Sequence, residues 1–138
     1  MVVSELKLTD RGDSRRRSGH LRLGPRDLAL ESSTARNGDV VDLLTQDGDF
    51  RGRGFFSREQ SSVWVISESK VDVDLDYYRD RIGSALQRRR RILEGVLSYR
   101  LVHSDADFLP GLVVDRYGDY LVVQERHPTV EDHRDKIL

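Results

Sequence analysis

Residues 98–124 read SYRLVHSDADFLPGLVVDRYGDYLVVQ. Two apolar runs, Leu112-Val113-Val114 and Leu121-Val122-Val123, flank Tyr117-Gly118-Asp119. β-Branched runs on either side of a glycine-containing turn predict a buried β-hairpin. The turn ahead of it, Leu109-Pro110-Gly111, puts proline at the first central position and glycine at the second. That order suits a type II turn, in which the second position needs a positive φ. An acidic loop, His103-Ser104-Asp105-Ala106-Asp107, leads into it.

Upstream of this stretch lies one helical pattern. Leu75, Tyr78, Ile82, Ala85, Leu86, Leu93 and Val96 recur at about helical spacing, Asp74 or Asp76 can cap the start, and Gly95 lies near the end. Its other face carries Arg79, Arg81, Arg88, Arg90 and Arg91. These arginines suit a solvated face, with contact to an RNA backbone as the alternative. Before the helix the periodicity is that of strands: Val40 to Leu44, Phe50 to Phe56 and Ser62 to Ser67. Asp47-Gly48 predicts a two-residue hairpin turn between the first two. Gly52 and Gly54 inside the second mark a bulge or a close backbone approach. Residues 1–36 are polar and punctuated by Gly12 and by Gly24-Pro25, and part of this start is expected to be disordered. After Pro128, residues 130–138 have helical spacing and stop in mid pattern, so the chain reads as cut.

The chain has 138 residues, 37% hydrophobic and 34% charged, which bounds it to one domain or two small ones. No apolar run is long enough for a transmembrane helix, and the first residues lack the pattern of a secretory signal. The absence of cysteine excludes disulfides, thiolate metal sites and a cysteine nucleophile, and fits a cytoplasmic protein. A net charge of −1 gives no global basic field for nucleic acid. Residues 1–26 nevertheless hold seven cations against three carboxylates, with Arg15-Arg16-Arg17 and Arg22 at the centre. Arginine outnumbers lysine 20 to 3, which fits either phosphate recognition by the guanidinium fork or a genome rich in G and C.

No catalytic constellation emerges. Asp105, Asp107, Asp115 and Asp119 do not match a calcium loop, and turn-forming aspartate is the simpler reading. His20, His103, His127 and His133 have no metal-ligand spacing. Phe50, Phe55, Phe56 and Trp64 suit core packing, with base stacking as the alternative.

The stretch HSDADFLPGLVVDRYGDYLVVQ resembles the central signature of the large-subunit rRNA methyltransferase I family. Further residues extend the likeness. Gly38-Asp39-Val40-Val41-Asp42, Asp47-Gly48 and Arg53-Gly54 are similar to the family's PUA segment, and Asp76-Tyr77-Tyr78, Arg81-Ile82, Ala85 and Arg89 to its linking helix. Where the family has H-P-W-V-F, this chain has His20-Leu21-Arg22-Leu23. The resemblance implies an α+β chain: a PUA-like small β-barrel over residues 1–70, then a linking helix and a central β-hairpin piece over 71–138. The Rossmann-like catalytic domain, which binds S-adenosylmethionine and supplies the attacking cysteine in such enzymes, is absent from the pattern. It implies the RNA-recognition and interdomain portion of an RNA cytosine-C5 methyltransferase, itself without catalytic, cofactor-binding or metal residues. Arg15, Arg16, Arg17, Arg22, Arg53 and Arg58 are the candidate contacts to ribosomal RNA. A free-standing PUA-type RNA-binding protein, or a structural or homodimerising module, are the alternatives.

Overall fold

The computed structural model describes residues 2–138, which divide into two compact units, the first running to Asp72 and the second spanning Val73–Leu138. In the first unit the chain forms β1 (Val3–Lys7), α1 (Asp10–Arg17), β2 (Arg22–Leu23), β3 (Val40–Leu44), β4 (Phe50–Ser57) and β5 (Ser62–Ser67). These strands make one sheet in the order β1-β3-β4-β5-β2, with β1 parallel to β3 and the other pairs antiparallel. The segment after β2 then crosses to the free edge of β1. Thr9 N–H donates to Asp27 O and Ala29 N–H to Lys7 O, and Leu8 bridges Leu28. Lacing the two outer edges together in this way gives the sheet its barrel-like closure.

Alternation along the strands builds the core. Leu6 and Leu8, Val41 and Leu43, Phe56, and Val63 with Val65 all point inward and pack with Leu23, Leu28 and Ala35. The opposite face of β3 is buried too. Asp42 there meets its cross-strand neighbour Arg53 in a two-pronged ion pair, Nε to Oδ1 at 2.6 Å and Nη2 to Oδ2 at 3.0 Å. The remaining Arg53 nitrogen, Nη1, donates to Val71 O at 2.6 Å, which ties the end of the unit to its sheet.

Two expectations for this unit need correction. Residues 3–23 are ordered into β1, α1 and β2, because β1 gains its backbone partners from β3, a strand more than thirty residues away. The turn at Asp47-Gly48 is wider than two residues. Gly48 N–H donates to Thr45 O, Thr45 N–H to Asp49 O, and Gly48 takes φ +92°, so Gln46-Asp47-Gly48 form a three-residue loop with glycine in the left-handed position.

The second unit contains α2 (Leu75–Ile92), β6 (Ser98–His103), β7 (Leu112–Tyr117), β8 (Tyr120–Glu125), α3 (Pro128–Asp132) and α4 (Arg134–Ile137). Asp74 caps α2 by accepting from Tyr77 N–H. The predicted hairpin is β7–β8, closed by Gly118 and Asp119 between paired Tyr117 and Tyr120. It gains a third antiparallel strand, β6, where the sequence reading placed none. It is only half buried. Leu112, Val113 and Val114 of β7 lie in the core, whereas Tyr120, Leu121 and Val122 on the edge strand β8 are exposed. The single terminal helix expected over 130–138 begins earlier, with Pro128 in its first turn, and breaks at His133 into α3 and α4.

Asp107 holds this unit together. It is buried after β6, and its carboxylate accepts from both terminal nitrogens of Arg89, from Arg88 Nη2 and from His103 N–H, at 2.6–2.7 Å. Burial pushes its pKa up, but the bonds from Arg89, His103 and Arg88 outweigh that and hold the carboxyl below its ordinary range. Asp115 likewise takes both forks of Arg100, its neighbour across β6 and β7. Two of the four aspartates read as turn formers are therefore arginine receptors.

The two turn glycines differ in their surroundings. Gly118 has φ +60° and open space around a would-be Cβ, whereas Gly111 has φ +82° and a Cβ there would lie 2.3 Å from His127 Cβ. Gly118→Ala is expected to cost about 1 kcal/mol from backbone strain alone, and Gly111→Ala about 2–5 kcal/mol from strain plus overpacking. Urea unfolding followed through amide signals of the second unit measures both; equal costs would contradict the difference in packing. Acid provides a second test. A depressed folded-state pKa at Asp107 contributes stability that is fully present above the unfolded value and is lost as pH falls through the carboxylate range. The α2 and β6 amides should therefore lose exchange protection below about pH 4, and Asp107→Asn should flatten that dependence while lowering protection at neutral pH. An unchanged acid profile in the variant would show that other carboxylates carry it.

Candidate nucleic-acid interface

Helix α1 is short and polar on every side, so packing rather than propensity holds it. Thr9 caps it through Gly12 N–H. Gly12 then passes so close to Asp27 that a Cβ would lie 2.0 Å from the Asp27 carbonyl oxygen. Only glycine allows the helix to seat at this depth. Arg15, Arg16 and Arg17 fill the last turn, where positive charge complements the helix dipole.

The three consecutive arginines have three different fates. Arg16 is buried. Its Nε donates to Arg51 O at 2.9 Å, its Nη1 to His20 O at 2.8 Å, and its Nη2 to both Glu68 carboxylate oxygens at 2.6 and 2.8 Å. Arg15 is half-buried and lies 3.3 Å from the buried Asp27, which Arg11 also approaches at 3.4 Å. Arg17 is exposed and only loosely paired, 3.5 Å from Asp13, a carboxylate that binds Arg51 at 2.6 Å.

The other candidates divide in the same way. Arg22 is exposed on β2, with its guanidinium 4.7 Å from the ring centre of its cross-strand partner Trp64. Arg58 is exposed, but its Nη2 and Nε both donate to Ala35 O, and it lies over the Phe56 ring. Arg53 is buried against Asp42 and Val71, as described above. The fold thus leaves Arg17 and Arg22 exposed and Arg15 half-buried against Asp27, with His20 linking the end of α1 to β2. It withdraws Arg53 into the sheet and sets Arg16 beneath the surface as a brace. Sequence reasoning missed Arg11 and Arg51, which share the carboxylates of this face. The i,i+4 spacing of Arg11 and Arg15, which puts them on one helix face, was the available signal.

Among the described residues no group of three or more histidines, aspartates or glutamates is arranged to hold a metal ion. Among the described residues no helix is long and apolar enough to cross a membrane.

Arg16→Ala is expected to destabilise the first unit by about 2–4 kcal/mol, because a buried side chain and its bonds to the His20 and Arg51 carbonyls and to Glu68 are lost together. Arg17→Ala should stay within about 0.5 kcal/mol. Trp64, the only tryptophan, reports unfolding of this unit by fluorescence. Equal effects would show that Arg16 does not brace the fold.

Comparison with known proteins gives this geometry a family context. Residues 6–68 match the model of the PUA-like domain. The chain is 35% identical over 106 residues to ribosomal RNA large subunit methyltransferase I of Shewanella denitrificans, and 37% identical over 106 residues to that of Aeromonas hydrophila. Each alignment covers 73% of this chain and 26% of the relative. A protein of Methanocaldococcus jannaschii assigned as a ribosomal RNA large subunit methyltransferase is 33% identical over 117 residues, covering 83% of this chain and 30% of its own length. The chain therefore spans less than a third of these relatives. Among solved structures, a Streptococcus mutans protein assigned as a SAM-dependent methyltransferase superposes with a TM-score of 0.82 at 24% identity, over 97% of this chain and 36% of that one. A methyltransferase complexed with SAH gives a TM-score of 0.82 at 23% identity, over 99% of this chain and 36% of that one. Residues 6–68 are thus a PUA-like domain, and the chain is a homologue of the large-subunit ribosomal RNA methyltransferase I proteins.

Proposed function

We propose that this chain is the RNA-recognition and interdomain portion of an S-adenosylmethionine-dependent rRNA cytosine-C5 methyltransferase, and that it performs no methyl transfer itself. The observation that carries the RNA reading is the arginine cluster at the end of α1 and on β2 of the PUA-like domain, where Arg17 and Arg22 are exposed, Arg15 is half-buried against Asp27 and Arg16 is buried. Guanidinium groups on a rigid helix end and strand suit phosphate oxygens, because their forked donors are already oriented. The cofactor does not fit the described residues. In this chain the junctions β1–α1, β5–α2 and β8–α3 run through Leu8-Thr9, Glu68 to Asp74 and Arg126-His127, none with a glycine that would let a backbone turn approach a cofactor. Chemistry at the nucleobase is therefore assigned to the parent enzyme, and no step of it to these residues.

The domain reading places recognition in residues 1–70 and the interdomain element in 71–138. The target is a ribosomal RNA segment in the cytoplasm.

Binding must come from local charge, since the chain as a whole carries −1. Each phosphate contact on a single strand contributes about 0.7 to the slope of log affinity against log salt, so three or four contacts predict a slope of about −2 to −3 and a Kd on the order of 10⁻⁴ to 10⁻⁶ M. Replacing Arg15 and Arg17 together with Ala should flatten the slope by about 1.4 without unfolding the domain. Fluorescence anisotropy with a labelled ribosomal RNA fragment at several salt concentrations measures it. An unchanged slope in the double variant would move the RNA face elsewhere.

A further inference from the structure

A cavity of about 450 Å³ opens between the last turn of α1 and the ends of β4 and β5, lined by Arg16, Arg17, Phe50, Arg51 and Glu68. Arg16 forms its floor and cannot swing away, because Nε and Nη1 are held by the carbonyls of Arg51 and His20. Its Nη2 has a different kind of partner. Glu68 reaches it with both carboxylate oxygens, yet the Glu68 side chain is 77% exposed while that of Arg16 is 3% exposed. A solvated carboxylate therefore caps a fixed, buried guanidinium. Its two oxygens occupy positions that two oxygens of a phosphate would take, since both groups accept charge-assisted bonds from the same donors.

The walls fit a nucleotide rather than a bare anion. Phe50 is half-buried and offers a ring, with Lys70 Nζ 5.4 Å from its centre. Gly52, at φ +133°, lies next to this floor. A Cβ there would lie 3.2 Å from Ser67 O and 3.5 Å from Arg16 Nη2. The charges lining the cavity are Arg16, Arg17 and Arg51 against Glu68; behind them Asp13 pairs with Arg51 and Arg17. Lys70 also stands 4.0 Å from Asp42, a carboxylate already engaged by Arg53. With Glu68 moved aside, cations dominate.

We infer that this cavity is a nucleotide subsite for an RNA strand, in which a backbone phosphate displaces the Glu68 carboxylate from Arg16 Nη2 and the adjoining base stacks on Phe50. The inference rests on the RNA reading above and adds the seat of one phosphate, its stacking wall and the side chain that holds the seat in the free protein. Glu68 thereby acts as an internal competitor. It raises the threshold for binding any single phosphate and favours ligands that also offer a base.

The test compares the wild-type chain with Glu68→Gln and Phe50→Leu. Glu68→Gln keeps an oxygen acceptor for Arg16 while removing the competing charge. Three probes are titrated: a labelled single-stranded RNA dodecamer, AMP and inorganic phosphate, each followed through the Arg16 Nε–H signal in ¹⁵N NMR. Glu68→Gln is expected to tighten RNA binding about fivefold, the scale of removing one charge beside a phosphate in water. Phe50→Leu should weaken RNA and AMP by about fivefold or more through lost stacking and leave phosphate unchanged. If wild type binds RNA but Glu68→Gln does not change affinity and the Arg16 signal stays still, the subsite is overturned and the RNA reading stands. If phosphate binds as well as AMP and Phe50→Leu has no effect, the nucleotide assignment is overturned in favour of a plain anion site. If none of the three proteins binds RNA, both readings fall together.

Discussion

The arrangement of the first unit depends on one buried guanidinium. Arg16 joins four segments at once: its own helix, the His20 carbonyl leading into β2, the Arg51 carbonyl in β4, and Glu68 just after β5. Helix α1 has too few residues and too little apolar surface to stand alone. Its position is fixed at the start by the close approach of Gly12 to Asp27 and at the end by Arg16. Once both ends are fixed, Arg15 faces the buried Asp27 and Arg17 is left exposed beside Asp13. The helix periodicity thus converts a run of three arginines into a buried brace, a half-buried partner of Asp27 and one surface group.

A parallel device operates in the second unit with the charges reversed. There the buried member is a carboxylate, Asp107, and the surface helix α2 supplies the arginines. Arg88 and Arg89 are spent on this receptor, Arg100 on Asp115, and Arg134 on Glu125. Arginine abundance in this chain is thus a matter of internal bracing as much as of recognition. Counting basic residues overstates the charge available to a ligand, because many donors are already engaged within the fold.

Local signals in the sequence translated well where the structure is local. Asp74 as a helix cap, Gly111 and Gly118 at positive φ, and strands Val40–Leu44 and Ser62–Ser67 follow from turn chemistry and periodicity. What stayed illegible depends on distant partners. β1 is a strand because β3 lies beside it, and nothing within Val3–Lys7 announces a parallel neighbour. β6 carries Ser98-Tyr99-Arg100, a polar start whose strand character comes from pairing with β7. Arg16 could not be told from Arg15 and Arg17 by type or spacing. Arg53 was the more readable case, since Asp42 stands at its register position once the β3–β4 hairpin is drawn.

The central claim is that the face built around Arg16 receives RNA. Mapping backbone amide shifts of the ¹⁵N-labelled chain during titration with a ribosomal RNA fragment tests it most directly. The account predicts that shifts concentrate in the last turn of α1, at His20 to Arg22, at Phe50 and Arg51, and at Glu68. Shifts confined to Arg88–Arg91 at the end of α2, or spread evenly with no cluster in the first unit, would contradict it.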